Sequence, residues 1–394
     1  MRQALEGSQA IAQAVALCRP QVVAAYPITP QTHIVENLAR LVADGKLGCE
    51  LVSVESEFSA ASVALGAACA GSRAYTASAS QGILLMSEVL YNIAGLRVPL
   101  VLTCANRALS APLSIWNDQQ DSMAVRDAGW IQLYCADNQE AVDITIQAFR
   151  IAERCELPVM VCVDGFTLTH TLEPLELPSQ EIVDRFLPPY RFSRGLDPLA
   201  PLSMGTLVAP EYFTEARHLH HEALLAARQE VEAAAADWAA ACGREQAPLV
   251  RVDGPPEATI GMLTLGSVFG TLLDARDQFG GPPVKLLHLG CFRPFPTEAL
   301  RAACTGLEHL IVLERAISPG ADGIVGAEVC SALMELDHPP RVHNFAAGLG
   351  GRDVPLAIYP RLLDAIGKPH PRMSAIDLRP ELLPDKAHAA GEAP

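Results

Sequence analysis

The chain has 394 residues, of which half are hydrophobic and 19% are charged. These values are typical of a globular protein with large buried cores, and the length predicts two or three domains. The net charge of −16 lacks the basic surplus of nucleic-acid binders, so that class is disfavoured. We find neither an N-terminal signal peptide nor a run of about 20 apolar residues, and therefore expect a soluble, cytoplasmic protein without a membrane partner.

The eleven cysteines are too widely spaced for a metal or cluster site. The two nearest in sequence, Cys155 and Cys162, are seven positions apart, and no CxxC pair occurs. Iron–sulfur and zinc sites usually include such a pair. Most of the cysteines lie inside apolar runs, so we expect free thiols in a reducing compartment and no metal bound to this chain.

Short aliphatic runs alternate with helical periodicity in the first half of the chain, from about residue 20 to residue 165. This alternation predicts an α/β fold with a doubly wound parallel sheet. The predicted strands cover residues 21–25, 51–54, 73–78, 98–102, 131–136 and 158–163, and the predicted helices cover 33–44, 57–70, 82–95 and 138–154.

The second half begins with a proline-rich stretch of little periodicity and continues into a long alanine-rich helix, predicted over residues 211–242. A second alternating block then predicts a smaller α/β domain, with strands at 259–265, 284–289 and 309–313. We therefore divide the chain into a first domain, a connector with the long helix, a second domain and a loose tail, over residues 1–170, 171–256, 257–375 and 376–394.

Ligands in open α/β sheets collect at the carboxyl ends of the strands, and three segments place unusual residues there. In the first, Tyr26–Thr32, two prolines hold the backbone around Thr29, whose hydroxyl could donate to a ligand oxygen. A rigid turn with Thr32 as a helix cap explains the same pattern equally well.

The second segment contains Glu57, which opens a helix directly after a strand. A carboxylate is favoured in any first helical turn, so its position alone is ordinary. The helix that follows, over residues 60–66, is almost wholly apolar, and a carboxylate at the mouth of such a helix suits proton transfer.

The third segment follows the strand 98–102 and contains Arg107. Its planar guanidinium matches a carboxylate, which predicts an anion clamp. The pattern is equally compatible with a structural ion pair to Asp118 or Asp121.

Two further features carry little functional weight. His218, His220 and His221 lie on one helix, but their spacing does not place all three on one face. The glycine-rich loop Gly348–Asp353 lacks the strand and helix that flank a dinucleotide-binding loop.

Taken in order, nine segments resemble the alpha subunit of pyruvate:ferredoxin oxidoreductase and related 2-oxoacid:acceptor oxidoreductases. They are 26–32 (YPITPQT), 55–57 (ESE), 78–82 (SASQG), 106–112 (NRALSAP), 115–121 (IWNDQQD), 126–130 (RDAGW), 164–170 (DGFTLTH), 289–296 (LGCFRPFP) and 312–315 (VLER).

The resemblance implies that the first domain is a thiamine-diphosphate pyrimidine-binding domain and the second a transketolase C-terminal-like domain. Glu57 matches the acid that holds a proton on the aminopyrimidine ring. Thr29 and Arg107 match residues that hold the oxygens of the substrate, with Arg107 as the carboxylate clamp and Thr29 as an additional cofactor contact. Further contacts implied by the same motifs are Pro27 and Gln81 for the cofactor and Asn106 for the substrate.

The partner half of such a site carries a Gly-Asp-Gly motif that binds magnesium and diphosphate, and this motif does not occur in the sequence. The resemblance therefore implies a site shared with a beta subunit, iron–sulfur clusters in a delta subunit, and a further gamma subunit. It also implies coenzyme A as co-substrate, ferredoxin or an NAD-linked flavin subunit as acceptor, and a dimer of hetero-oligomers.

The expected reaction is oxidative decarboxylation of a 2-oxoacid to its acyl-CoA, with pyruvate as the first candidate. Aryl acids such as phenylglyoxylate, branched-chain acids and oxalate remain alternatives, because Thr29, Glu57 and Arg107 would contact only the shared 2-oxoacid group and the cofactor. Candidates for the pocket wall are Leu109, Pro112 and Trp116. A scaffold subunit without catalysis and a free-standing nucleotide-binding protein are the rival classes.

Overall fold

Two sheets of mainly parallel strands and one small antiparallel pair organise the chain. The computed structural model describes residues 2–384. In chain order its strands are β1 (Arg2–Glu6), β2 (Val22–Ala25), β3 (Glu50–Ser53), β4 (Ala74–Ser78), β5 (Val101–Asn106), β6 (Ile131–Tyr134), β7 (Val159–Asp164), β8 (Leu172–Glu176), β9 (Val250–Asp253), β10 (Ile260–Thr264), β11 (Val284–Leu289), β12 (Cys291–Arg293), β13 (His309–Glu314), β14 (Arg341–Ala346) and β15 (Met373–Ala375).

Helices cover both faces of the two large sheets, as expected for a doubly wound fold. They are α1 (Gly7–Leu17), α2 (Thr32–Ala43), α3 (Glu57–Cys69), α4 (Ser80–Leu85), α5 (Ser87–Gly95), α6 (Gln120–Ala124), α7 (Asn138–Cys155), α8 (Gln180–Phe186), α9 (Pro210–Cys242), α10 (Val268–Phe279), α11 (Thr297–Cys304), α12 (Val325–Leu333) and α13 (Ile358–Ile366).

The first sheet has the strand order β12-β6-β7-β5-β4-β2-β3. All of its pairs are parallel except β12 with β6. Every residue of β5 and β7 is buried, which explains their unbroken aliphatic character. The predicted parallel α/β class is confirmed.

The second sheet has the order β15-β14-β13-β10-β11-β9, with β9 antiparallel at one edge. Strand β12 follows β11 in the chain but joins the far edge of the first sheet. The two sheets are therefore linked by main-chain pairing as well as by side chains.

Asp164, at the end of β7, connects the two sheets. Its Oδ2 accepts hydrogen bonds from the backbone N (2.9 Å) and the Oγ (2.5 Å) of Ser267, which precedes α10. The buried Arg315 places its Nη1 3.4 Å from the same oxygen, and Gln119 donates to Oδ1 at 3.2 Å. A buried ion pair of this kind favours one position of the two sheets relative to each other, because each charge would be costly to leave unpaired.

The structure adds detail that periodicity did not predict. The expected helix over 82–95 is two helices, α4 and α5, which meet at Met86. Strands β1 and β8 pair with each other outside the large sheets, and β1 is mostly exposed, so it lacks a clear hydrophobic alternation.

The expected loose tail begins at residue 376, and residues 385–394 lie outside the described part of the chain. Asp377 contacts the second domain, since its Oδ2 accepts from the backbone N of Gly348 at 2.9 Å. Of the helices within residues 2–384, none combines the length and apolarity needed to cross a membrane. All eleven cysteines are free, and seven of them are buried.

Candidate active site

The predicted site residues follow four neighbouring strands of the first sheet, β5, β4, β2 and β3. Thr29 lies in the turn after β2, Glu57 opens the helix after β3, Gln81 lies after β4, and Arg107 directly follows β5. Because parallel strands end at the same edge, residues from four separate parts of the chain are collected there. Part of the edge stays open, since Thr29 and Pro27 are exposed.

Glu57 is a buried carboxylate that accepts no hydrogen bond from any residue of the described chain, and its side chain is 7% exposed. It stands at the N-terminus of α3, which is capped by the preceding Ser56, whose Oγ accepts from the backbone N of Ser59 at 3.2 Å. Neither oxygen is among the fully buried polar atoms that lack a partner, so the carboxylate reaches the surface and is accessible to a ligand.

Gly82 forms the wall beside Glu57. A Cβ at this position would lie 2.7 Å from Oε1 of Glu57 and closer still to the Oγ of Ser78, so only glycine fits. The Ser78 hydroxyl is also buried and has no hydrogen-bond partner within residues 2–384. Two unpartnered polar groups therefore border the same small space.

Arg107 and Thr29 are brought together by the structure. The Arg107 side chain is 8% exposed, and its Nη1 donates to the backbone carbonyl of Thr29 at 3.0 Å. Its Nε donates to the carbonyl of Ser114, also at 3.0 Å. No carboxylate in the described residues pairs with this guanidinium, so neither ion pair considered from the sequence forms. Nη2 has no protein acceptor there and is left for an anionic ligand.

Asp121 holds these elements in place, a role that the sequence did not reveal. Its fully buried carboxylate accepts from the backbone N of Ser80 (2.8 Å), the backbone N of Arg107 (3.0 Å) and the Nδ2 of Asn106 (2.8 Å). Burial raises the pKa of Asp121, and the bonds from Asn106, Ser80 and Arg107 oppose that rise. One carboxylate thus fixes the turns after β4 and β5 relative to each other.

Asn106 lies behind the Arg107 turn, and the expectation that it contacts the substrate stays a prediction. It is fully buried, and its Nδ2 donates to Asp121 and to the Oγ of Ser122, both at 2.8 Å. Its amide therefore supports the Arg107 turn from behind. Both acceptors belong to α6, and the tertiary structure packs this helix against the end of β5.

Gln81 is half-buried and lies beside Ser80, whose backbone has a positive φ of 48°. The Ser80 hydroxyl lies 2.5 Å from both the Oε1 of Gln81 and the carbonyl oxygen of Ala108, and its single proton can be donated to either. This arrangement orients the Gln81 amide with its Nε2 free of protein acceptors among the described residues, as a cofactor contact requires.

The loop after Arg107 is supported by the second domain. Trp116 packs on Phe166 with ring centroids 4.5 Å apart, and Gly351, at φ 81°, lies so close to Trp116 that a Cβ would collide with it. The backbone N of Gly350 donates to Oδ2 of Asp118 at 3.0 Å. The glycine-rich segment therefore packs against the active-site loop, in agreement with the expectation that it is not a dinucleotide site.

Burial is the main cause of the shifted pKa values of Arg107 and Asp118. Burial lowers the pKa of the Arg107 guanidinium, and the carboxylate of Asp121 acts in the opposite direction. Burial raises the pKa of Asp118 to about 6, while the hydrogen bonds from the backbone of Gln120 and Gly350 oppose the rise.

The three clustered histidines of α9 are separated by the structure. His220 is buried, with its Nε2 3.3 Å from the carbonyl oxygen of Gly129, whereas His218 and His221 are exposed. The three side chains therefore do not share one environment.

The arrangement fits the pyrimidine half of a thiamine diphosphate site. A protonated ring nitrogen needs a buried carboxylate, which Glu57 provides, and the amide of Gln81 and the hydroxyl of Ser78 offer further polar contacts. Arg107 offers a cation for a substrate carboxylate at the same edge.

Comparison with known proteins decides the family. Residues 13–236 match the thiamine-diphosphate-binding region of pyruvate flavodoxin/ferredoxin oxidoreductase, and residues 258–357 match core domain II of pyruvate:ferredoxin oxidoreductase. The chain belongs to this family. Its predicted assignment to the 2-oxoacid oxidoreductases, which are thiamine diphosphate enzymes, is confirmed.

Relatives align over nearly their whole length. The chain is 42% identical to pyruvate synthase subunit PorA of Methanosarcina barkeri over 370 residues, which cover 92% of each chain. It is 38% identical to the alpha subunit of NADH-dependent phenylglyoxylate dehydrogenase of Aromatoleum evansii, over 91% of this chain and 89% of that one.

A solved 2-oxoglutarate:ferredoxin oxidoreductase from Magnetococcus marinus shares the fold, with a TM-score of 0.70 at 21% identity. The alignment covers 93% of this chain and 65% of that one. Since the relatives are named as subunits, the chain is one subunit of a multi-subunit enzyme.

Proposed function

We propose that this chain is the alpha subunit of a pyruvate:acceptor oxidoreductase, which converts pyruvate and coenzyme A to acetyl-CoA and carbon dioxide and passes two electrons to an acceptor. The buried, unpartnered carboxylate of Glu57 at the same sheet edge as Arg107 is the observation that carries the proposal. A scaffold subunit would have no reason to keep a carboxylate without a protein donor and, at the same sheet edge, a guanidinium without a carboxylate partner.

Thiamine diphosphate, when bound, supplies the electron sink for decarboxylation. Glu57 accepts and holds a proton at the pyrimidine ring nitrogen, since it has no protein donor within residues 2–384 to compete for that contact. Pro27 and Gln81 complete the pyrimidine contacts of this chain.

Arg107 binds the carboxylate of the 2-oxoacid through its free Nη2, while its other two contacts hold the guanidinium in one orientation. The hydroxyl of Thr29 donates to a substrate oxygen, because the bond from Arg107 to the Thr29 carbonyl places the two groups next to each other.

A beta subunit supplies the magnesium and diphosphate half of the site. The strand ends are surrounded by exposed apolar side chains, which is unusual for a surface that stays in water and typical of a protein interface. These side chains are Tyr26, Phe58, Leu84, Leu85, Tyr91, Leu113, Ile115 and Trp116.

We assign the iron–sulfur clusters to a delta subunit, with a gamma subunit as a further partner, because the cysteines of this chain are free and mostly buried. Ferredoxin, or NAD through a flavin subunit, is the final acceptor, and the assembly is a dimer of hetero-oligomers. The free thiols fit a reducing cytoplasm.

Phenylglyoxylate is the second candidate substrate, because a relative of 38% identity is named for it. The rim residues Leu109, Pro112 and Trp116 are the parts of this chain that could contact a substrate side chain. Trp116 is 51% exposed, so its ring is available to a partner or a substrate.

The test is a panel of 2-oxoacids given to the anaerobically purified complex with thiamine diphosphate, magnesium and coenzyme A. We expect coenzyme-A-dependent reduction of a viologen dye with pyruvate at a higher kcat/KM than with phenylglyoxylate, 2-oxoisovalerate or oxalate. Preference for another acid would correct the substrate. Inactivity with every acid, in a complex shown to contain all subunits and the cofactor, would favour the scaffold class.

A further inference from the structure

Three metal-ligating side chains meet beside the pyrimidine half-site, and none of the roles assigned above uses them. Glu6 ends β1, His33 lies in the first turn of α2, and His170 lies in the turn after β7. Each offers one ligand atom, and all three atoms lie within 4.8 Å of one another. They are 27 and 137 positions apart in sequence, so no spacing motif could have indicated them.

We propose that Glu6, His33 and His170 bind one divalent transition-metal ion, with zinc as the first candidate. Two imidazole nitrogens and one carboxylate oxygen form a donor set that suits zinc, with water completing a tetrahedral site. Magnesium and calcium fit poorly, because they prefer oxygen ligands. The expectation of no metal in this chain rested on cysteine spacing, which says nothing about such a site.

The ligand atoms are close to the separation that an ion requires. Metal bonds of about 2.0–2.2 Å in a tetrahedral site place two ligand atoms roughly 3.4 Å apart. The Nδ1 of His33 lies 2.7 Å from Oε1 of Glu6, and the rings of His33 and His170 lie 4.4 Å apart between centroids. Small side-chain rotations are therefore sufficient, and the ion would replace the proton that His33 and Glu6 share.

The second ring nitrogen of His170 is already held, as is usual for a metal-binding histidine. Its Nδ1 lies 2.7 Å from the Oγ1 of Thr169, which also accepts from the backbone N of Phe166 at 2.8 Å. The backbone carbonyl of Thr169 accepts from the backbone N and the Oγ of Ser8 at the start of α1. These bonds orient the imidazole before any ion arrives.

The ion would brace one side of the active site without entering the reaction. Phe166 packs on His170 at 4.8 Å and on Trp116 at 4.5 Å, so the site is continuous with the loop after Arg107. Gly165 lies so close to Pro30 that a Cβ would approach the proline ring to 2.6 Å. An ion between β1, α2 and the turn after β7 would therefore stiffen the turn that carries Thr29.

The test measures zinc by mass spectrometry in the complex, purified without affinity histidines and without chelators, and compares it with His33→Gln and His170→Gln complexes. His218→Gln is the matched control, because it removes an exposed histidine from α9. Circular dichroism and size-exclusion chromatography establish that each variant is folded and assembled.

We expect about one more zinc per alpha chain in the parent and the control than in either variant, and a Tm several degrees lower after chelation of the parent. Equal zinc in all four complexes, or none in a parent dialysed against micromolar zinc, would overturn the proposal. If a variant fails to assemble, cobalt added to the chelated parent provides the second measurement, since tetrahedral cobalt gives visible absorption bands and their absence overturns the site. None of these results depends on turnover, so the proposed substrate is tested separately.

Discussion

Two arginines occupy equivalent positions in the two sheets, yet the structure gives them different partners. Arg107 follows the buried strand β5, and Arg315 follows the buried strand β13. Arg315 is 5% exposed and lies 3.4 Å from the carboxylate of Asp164. Arg107 contacts two backbone carbonyls and, within residues 2–384, no carboxylate. One cation is neutralised inside the protein, and the other has no carboxylate partner among the described residues, as our proposal that it binds a ligand requires.

Two glutamates, one at a strand end of each large sheet, show a similar difference. Glu314, the last residue of β13, accepts from the backbone N of Ile324, Val325 and Gly326 and so caps α12. Glu57 has no donor among the described residues. Burial of an ionisable group therefore does not distinguish structure from function in this protein, whereas the presence of a protein partner does.

The largest expected effect is that of Glu57→Gln in the assembled complex. An amide cannot accept and hold the ring proton, so we expect turnover to fall by a factor of about 10²–10⁴. Steady-state dye reduction measures it, and size-exclusion chromatography should show unchanged assembly. Glu314→Gln is the matched control and should lower the Tm while keeping kcat; full turnover of Glu57→Gln would exclude the acid–base role.

Next in size is the effect of Arg315→Met on stability. Removing this cation leaves the carboxylate of Asp164 buried with a smaller set of partners, which costs on the order of 3–5 kcal/mol. We expect a clearly lower Tm of the complex in thermal unfolding, partly restored by a second change, Asp164→Asn. An equal loss of Tm in Arg107→Met would mean that the two arginines do not differ as described.

Arg107→Ala should act on substrate binding. If the free Nη2 clamps the substrate carboxylate in a desolvated site, the apparent constant for the 2-oxoacid should rise by about 2–4 kcal/mol, or roughly 30–900-fold. The dependence of initial rate on 2-oxoacid concentration measures this, and Arg107→Lys should recover part of the loss. A constant equal to that of the parent would make Arg107 structural.

The smallest effect concerns Asp118, which links the Arg107 loop to the second domain through Gly350. Burial raises its pKa from 3.8 to about 6, so the folded state binds the proton more tightly than the unfolded state. The resulting stability is present below pH 4 and is lost as the pH rises through about 6. The free energy of unfolding of Asp118→Asn should lack this pH dependence. The difference in free energy of unfolding between the parent and the variant should therefore change by on the order of 2 kcal/mol between pH 4 and pH 7. Parallel pH profiles would contradict the assignment.

Much of the site could be predicted from the sequence, because its residues lie at strand ends that periodicity locates. The strand predicted over 284–289 is reproduced as β11, and the predicted ends of β2 and β3 place Thr29 and Glu57 at one edge. The roles given to Thr29, Glu57, Arg107, Pro27 and Gln81 remain predictions, and the variants above test those of Glu57 and Arg107.

The sequence by itself determined the alternation of strands and helices, the free cysteines and the family, because these depend on local patterns of burial and on contiguous motifs. Only the tertiary structure decided that Asn106 turns inward, that Asp121 joins two turns and that β12 extends the first sheet. It also brought Glu6, His33 and His170 together. The physical reason is that a polar side chain takes its partner from whatever element folds against it, and that element can be more than a hundred residues away.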